Sequence, residues 1–450
     1  MKQLLLLLNK KIVTRLLLCI ILLSGIFMSC NKSERFPIPG RNDAARYSSD
    51  VIDKWMTMQI RLERDAVGIP NVSFERYYAY SGIAAFESLA PGTSLNNFTH
   101  AQWNGLTGLP EADRMNFYYW PASVNTALAY MNRNIFTTAT DVDKAAIDSL
   151  EQALNASYLS TQNAQVIARS NAFGRAVATA VFNWSETDGY KHDSDPYTPP
   201  VGPGLWVPTP PAFAPASTPY FGNNRTIIAG SINNTIPGPP IAYSETPNSP
   251  FYLMVKNVYD VSQTLTSDQI AQALFWRDVP GVTTAGHWLS ILQQVLKQTN
   301  THLDKAAFAY AIAGVCQSDA SISCWQTKYK YSLVRPITYI QNVMGYTTWA
   351  SLLTTPAHPE YSSAHAVISS ANAQALDALF GNIGSFTDHT YDYLGYAPRT
   401  FSSFDSIAID AANSRVLAGI HYQPSCDTGL IQGKRVSVNI LKKLGLQVQK

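Results

Sequence analysis

The chain is 450 residues long, 46% hydrophobic and only 14% charged, enough apolar material for a large core and too little charge for a disordered or coiled-coil protein. Its 33 basic and 31 acidic residues leave a formal charge of +2. With no basic stripe, nucleic acid and other long anionic partners are poor candidates.

The first thirty residues read as an export signal. Lys2, Lys10, Lys11 and Arg15 precede an apolar run from Leu16 to Met28, followed by Ser29-Cys30. The run is short for a membrane span and right for a signal h-region. Its ending resembles a bacterial lipoprotein signal, which implies removal of residues 1–29, lipidation of Cys30, and a mature chain anchored to a membrane on the periplasmic or outer surface. An ordinary cleaved signal or an uncleaved anchor are the alternatives. Loss of the four basic residues turns the net charge from +2 to −2. No later stretch reaches the run of about 18 apolar residues that a further span requires. Of the five cysteines, Cys316, Cys324 and Cys426 remain after Cys19 and Cys30. Three thiols without a CxxC pattern leave room for one disulfide and exclude a disulfide scaffold.

Residues 30–195 read as an N-terminal helical region. Between Asp43 and Ala66, Val51, Trp55, Met58 and Leu62 recur at spacings of three and four, the period of an amphipathic helix. Arg76–Leu89, Phe117–Ile135, Thr140–Leu154 and Asn163–Trp184 read similarly, with Thr140 an N-cap ahead of Asp141 and Asp143. Residues 196–251 form a proline-rich excursion: 14 of the 26 prolines lie between Pro196 and Pro250, a density no helix survives. Trp206, Phe213, Tyr220 and Phe221 interleave with them and favour a packed excursion over a solvated linker. Residues 252–450 read as a C-terminal helical catalytic region. Thr266 to Gln269 is a capping box opening a helix to Trp276, and helices are expected over 284–299, 302–333, 363–380, 403–421 and 427–445. The fold class is all-α, as two packed helical bundles.

Three segments of this region gather the residues of an oxyanion site. In Lys328-Tyr-Lys-Tyr-Ser-Leu-Val-Arg335-Pro336, the two cations are seven apart, one face of a continuous helix, and can grip a tetrahedral oxyanion. In His358-Pro-Glu-Tyr-Ser-Ser363-Ala364-His365, a turn of small residues enters a helix whose first N–H groups point toward an anion. Ser363 adds a hydroxyl and His365 a group able to carry a proton. In Ser414-Arg415-Val-Leu-Ala-Gly-Ile-His421, an arginine and a histidine in an apolar stretch each need a partner, which a shared anion supplies. Taken singly, each segment also fits a solvated basic face, a capped helix or an incidental histidine.

Together the three segments resemble the pattern K-x6-R-P, P-S-G-H, S-R-x5-H of the superfamily that joins vanadium-dependent haloperoxidases to type 2 phosphatidic acid phosphatases and bacterial acid phosphatases. Trp325, three before Lys328, is similar to the chloroperoxidase-like members. Thr283-Thr-Ala-Gly-His287-Trp288 resembles a Pro-Pro-Gly-His-Trp segment of bacterial haloperoxidase-like proteins, and the early helix with Tyr77 to Glu87 also fits. The resemblance implies that Lys328, Arg335, Arg415, Ser363 and the N–H of Ala364 hold the oxygens of vanadate or phosphate. It implies that His421 is the vanadium ligand or the phosphorylated nucleophile, and that His365 is the general acid/base. The resemblance also implies that Asp278 is an acid paired with Arg415 and that His358 tunes proton supply, the alternative for His358 being a plain loop histidine. The substrates would be hydrogen peroxide and halide with vanadate as cofactor, or a small phosphomonoester without it. A non-catalytic oxyanion-binding lipoprotein is the third reading. Soluble members of the superfamily are often oligomeric, so the resemblance also suggests a homo-oligomer.

Three departures stand out. Ser362 replaces the usual proline and Ala364 the usual glycine, which requires a negative φ at 364. The family's aspartate four after the histidine is Ser425 here. That carboxylate would orient the imidazole, and Asp427 is the expected substitute.

Overall fold

The computed structural model describes residues 43–95, 97, 102–113 and 115–447. The expected signal and the lipidation site at Cys30 lie outside them. Thirteen α-helices appear among the described residues: α1 Asp50–Asp65, α2 Ser73–Glu87, α3 Trp120–Ile135, α4 Asp141–Leu159, α5 Ala164–Ser185, α6 Pro250–Ser262, α7 Ser267–Phe275, α8 Thr284–Gln298, α9 Leu303–Tyr331, α10 Pro336–Asn342, α11 Ala364–Phe380, α12 Phe404–Leu417 and α13 Gln423–Lys443. The expected all-α class is observed, with one exception. A two-stranded antiparallel hairpin, β1 Phe386–Asp388 with β2 Arg399–Phe401, pairs Thr387 with Thr400 and was not foreseen, nor was α6.

Local chemistry sets most of the helix starts. Thr140 accepts from the Asp143 N–H at 3.2 Å, Thr266 and Gln269 close the expected capping box, and Thr283 caps α8, each satisfying an otherwise orphaned donor. Pro250 opens α6 at a first-turn position, where its missing N–H costs nothing.

Residues Asp43–Ala112 and Tyr118–Gln447 form one compact unit. Its axis is α9, buried along most of its 29 residues, as expected of a helix with small and apolar residues on every side. The helices α2, α11 and α13 pack on it. Small residues let the backbones touch: a Cβ on Gly82 of α2 would lie 2.8 Å from Ala311 Cα, and one on Gly314 of α9 2.7 Å from Ala79 Cα. Between α11 and α13 the contact is closer, since a Cβ on Gly433 would lie 1.9 Å from the Val367 carbonyl oxygen. The separate short stretch at Asp113 and 115–117 closes its own turn, with the Met115 N–H and Asn116 Nδ2 donating to the Asp113 carboxylate.

The proline-rich excursion is a packed strap. The Trp206 N–H donates to the Ser332 carbonyl at 2.7 Å and the Val334 N–H to the Gly204 carbonyl. Asp319 of α9 accepts from the Ile227 and Ile228 N–H groups and from Ser231. Trp206 and Phe221 are buried, whereas Phe213, expected to pack, is exposed. Cys316, Cys324 and Cys426 are buried free thiols, so the disulfide that the count allowed is absent among them. None of the described helices is long and apolar enough to cross a membrane.

A methyl group has no room at the α11–α13 crossing. Gly433→Val is expected to destabilise the fold by about 3 kcal/mol through overpacking, read as a fall in the denaturant midpoint, while a valine at exposed Gly238, where an added Cβ meets nothing within 4 Å, leaves it nearly unchanged.

Candidate active site

The three motif segments meet, though not along continuous helices. The helix α9 ends at Tyr331, Ser332 turns in the left-handed region (φ 44°), and Arg335 is the N-cap of α10. Lys328 and Arg335 therefore do not share a helix face; the turn brings them together. Likewise α12 ends at Leu417 and Gly419 (φ 78°) reverses the chain, so His421 lies beyond the helix that carries Arg415. Glycine meets that positive φ without the clash a side chain would suffer.

Lys328, Arg335 and Arg415 are buried together at 0%, 0% and 3% exposure, and each is held by backbone carbonyls. Lys328 Nζ donates to Pro359 O (2.9 Å) and Glu360 O (3.1 Å). Arg335 donates through Nε to His358 O (2.9 Å) and through Nη1 to Ile420 O (2.8 Å). Arg415 Nη1 donates to Trp276 O at 2.7 Å, and its Nε is buried without a hydrogen bond. Burial pushes the Lys328 ammonium down to about 8, with Arg335 adding repulsion, and Arg335 to about 10. Arg415 is lowered as well, again chiefly by burial. Cations destabilised in this way favour an anion among them.

His421 has its tautomer set by its neighbours. Its Nδ1–H donates to Glu360 Oε1 at 2.7 Å, and Nε2 lies 3.2 Å from Arg335 Nη1, which can only donate. The Nε2 lone pair therefore faces the cations. Burial, with Arg335 and Lys328, holds this imidazole well below its ordinary range and so neutral. Glu360 was not identified from the sequence. It occupies the role that Asp427 was expected to take. Asp427 is exposed and accepts from Gln423 Nε2 at 2.8 Å. Glu360 also accepts from the Tyr422 N–H (3.0 Å) and from Ser425 Oγ (2.5 Å). Ser425 is thus a donor to the carboxylate rather than a gap left by aspartate. Its carbonyl accepts from the Ser363 N–H at 3.2 Å, tying the His421 segment to the start of α11.

At that start, Ser363 Oγ is buried without a conventional hydrogen bond, next to the Cys426 thiol. Ala364 is the first residue of α11, so its φ is helical and its methyl group causes no strain. His365 Nε2 donates to Trp276 O at 2.9 Å, leaving Nδ1 with the lone pair, and lies 3.5 Å from Asp278 Oδ1. Burial and Arg415 hold it well below the usual histidine range. Asp278 interacts electrostatically with Arg415 and accepts from Asn71 Nδ2 at 3.0 Å. His358 is half-buried: Nδ1 lies 3.1 Å from Arg335 Nη2 and its ring is 5.3 Å from that of Trp325. Trp325 donates to Thr218 Oγ1 of the strap at 3.1 Å.

A second unforeseen element is the brace behind Trp276, whose carbonyl receives both His365 and Arg415. Its indole N–H donates to Asp410 Oδ2 at 2.8 Å, and its ring stacks on His287 at 4.2 Å. His287 Nε2 pairs with Asp388 Oδ2 of the hairpin at 2.7 Å. The His287-Trp288 motif carried the signal, but nothing local indicated its partner.

The arrangement suits an oxyanion better than a bare cation. One neutral histidine stands among three cations, a hydroxyl and a helix start. Among the described residues no group of three or more His, Cys, Asp or Glu side chains could hold a metal ion.

A family model described as the VCPO second helical-bundle domain matches residues 308–450. Among solved structures, the chain is similar to one described as the first bacterial vanadium-dependent iodoperoxidase: 30% identity and a TM-score of 0.79, over 90% of this chain and 98% of that one. It is also similar to a bacterial vanadium-dependent chloroperoxidase in its apo form (15% identity, TM-score 0.64, 84% and 96% of the two chains) and its holo form (16%, 0.61, 83% and 92%), likenesses that show the fold. No curated protein sequence matches.

Since Glu360 Oε2 already meets Ser425 Oγ at 2.5 Å, an aspartate at 425 would place a second carboxylate against the first. Ser425→Asp is therefore expected to lower the midpoint of unfolding and to weaken oxyanion binding. Glu360→Gln keeps the shape but loses the charge that orients His421. It should cost about 10–100-fold in vanadate affinity, measured by equilibrium dialysis, and much less in sulfate affinity, which relies on the cations alone.

Proposed function

Because the chain belongs to the vanadium haloperoxidase superfamily, we propose that it is a vanadium-dependent haloperoxidase, oxidising halide with hydrogen peroxide at an oxyanion held beside His421. The observation that carries this reading is the burial of three cations around a neutral imidazole whose Nε2 lone pair faces them. The orphaned Ser363 Oγ and Arg415 Nε are further donors for the same anion. Lys328, Arg335, Arg415, Ser363 and the Ala364 N–H would hold the vanadate oxygens, and His421 Nε2 the vanadium. Bound vanadate supplies the activation of peroxide toward a halide.

The chain's own residues do the rest. Glu360 keeps the proton on His421 Nδ1 and so keeps Nε2 available. The cations withdraw charge from the oxygens they hold, in a site closed to bulk water. Forming hypohalous acid and water from peroxide and halide consumes one proton. His365 is placed to deliver it through Nδ1, its other nitrogen being fixed on the Trp276 carbonyl. An empty, cation-crowded site keeps His365 neutral; an anion among the cations would relieve that repulsion and let it accept a proton. His358, on the half-buried side against Trp325, is the second proton-carrying group. From the resemblance of residues 1–30 to a lipoprotein signal, we also propose that the enzyme is extracytoplasmic and lipid-anchored.

The decisive experiment is oxidation of iodide and bromide by peroxide, with and without added orthovanadate. Activity that requires vanadate and is abolished in His421→Ala is the expected result. Hydrolysis of an aryl phosphate without halide oxidation would replace this reading with a phosphatase using the same residues.

A pH dependence follows from Lys328. With its ammonium pushed down to about 8, the cation is present below that pH and lost above it. Affinity for sulfate, which does not titrate there, should fall by up to about tenfold per unit as pH rises above 8. Lys328→Met should remove that fall.

A further inference from the structure

One residue of the proline-rich strap adopts a costly backbone conformation. Thr218 sits at φ 45°, and a β-branched residue in the left-handed region is a genuine outlier. Glycine would meet that φ without strain but has no side chain to offer. Such outliers persist only where their surroundings enforce them, and they gather at functional sites. Thr218 is 2% exposed, and its Oγ1 accepts from the Trp325 indole N–H at 3.1 Å.

Both sides of this contact lead to His358. The Ser217 N–H donates to the Ala357 carbonyl at 2.7 Å, immediately before His358, and the Tyr329 hydroxyl donates to the Ser217 carbonyl at 2.6 Å. The Phe221 N–H turns back to the Thr218 carbonyl at 3.2 Å, setting its ring 5.7 Å from that of Trp325. The other side of the indole meets the His358 ring at 5.3 Å and a tilt of 45°. Arg335 Nη2, which can only donate, lies 3.1 Å from His358 Nδ1. The neutral ring therefore carries its proton on Nε2, and among the described residues that N–H has no hydrogen-bond partner.

We propose that Thr218 is a positioning residue: its hydroxyl fixes the Trp325 indole, which together with Arg335 holds the His358 ring as a neutral N–H donor for the anionic substrate. What the donor serves, a halide approaching the bound oxyanion, rests on the haloperoxidase reading; the positions of the two rings do not. A packing role alone needs the shape of threonine, which valine keeps. Positioning needs the oxygen, which serine keeps.

Thr218→Val, Thr218→Ala and Thr218→Ser separate these roles. In the vanadate-free protein, the 15N resonances of the Trp325 indole and the His358 ring are assigned by their loss in Trp325→Phe and His358→Ala. Both are expected to shift in Thr218→Val and Thr218→Ala, with the indole proton exchanging at least about tenfold faster, and to return in Thr218→Ser. With vanadate, kcat/KM for iodide should fall at least about tenfold in Thr218→Val and stay within about twofold of wild type in Thr218→Ser. In a His358→Ala background Thr218→Val should change it by less than about twofold, because the ring it positions is gone. Resonances unmoved in Thr218→Val, or not restored by serine, would overturn the proposal, as would an equal loss with and without His358. If the wild-type protein oxidises no iodide, it is the haloperoxidase reading that fails, and the resonances alone decide the role of Thr218.

Discussion

The burial of three cations in a helical core is the constraint on which the rest of the site depends. Lys328, Arg335 and Arg415 have left water, and a charge in such surroundings is tolerated only with dense hydrogen bonding and counter-charge. Backbone carbonyls supply the first part. Those of His358, Pro359, Glu360, Ile420 and Trp276 all turn toward the cations. None belongs to the interior of a helix, where a carbonyl is committed to the residue four ahead. The breaks in the helical pattern at Ser332 and Gly419, and the loops at 276–283 and 358–363, are therefore what the cations require. Counter-charge is only partly present, in Glu360 and Asp278, and the remainder is the chemical definition of an anion site.

Rigid packing around that pocket has a simple origin. Glycines at 82, 314 and 433 let helix backbones touch, so the helices flanking α9 cannot slide without collision. The proline-rich strap, lacking internal ladders, meets its backbone requirement by bonding to α9 at Asp319 and to the segments beyond it at Ser332, Val334 and Ala357. It thereby seats Thr218 against Trp325 and Trp325 against His358. Segments that look like connections in sequence are walls of the site.

Glu360 shows how a role can persist when its residue moves. A carboxylate behind the imidazole fixes which nitrogen carries the proton, and its backbone origin is immaterial provided the oxygen arrives at hydrogen-bond distance. Here it comes from the turn before α11 rather than the helix after His421, and a hydroxyl at 425 becomes its donor. The same reasoning applies to Trp276, where a backbone carbonyl positions His365 and Arg415 at once, steadied from the far side by the His287–Asp388 pair.

The helical class, most helix positions and the cations and histidines that the structure brings together were legible in the amino-acid order, because helix period, capping chemistry and motif spacing are local properties. The capping box at Thr266 and the N-cap at Thr140 needed only neighbours three residues away. What could not be read was everything decided by distant approach. Asp427 was expected behind His421 because it is near in sequence, but a helical turn points it to solvent. Glu360, 61 residues away, reaches the ring instead. Phe213 was expected inside for its hydrophobicity, yet a left-handed turn (φ 48°) leaves it exposed. Lys328 and Arg335 were expected on one helix face; a break in the helix joined them. Sequence determined which charges had to be buried, and tertiary structure alone decided which groups, brought from far along the chain, would surround them, since burial energy depends on contacts and not on order.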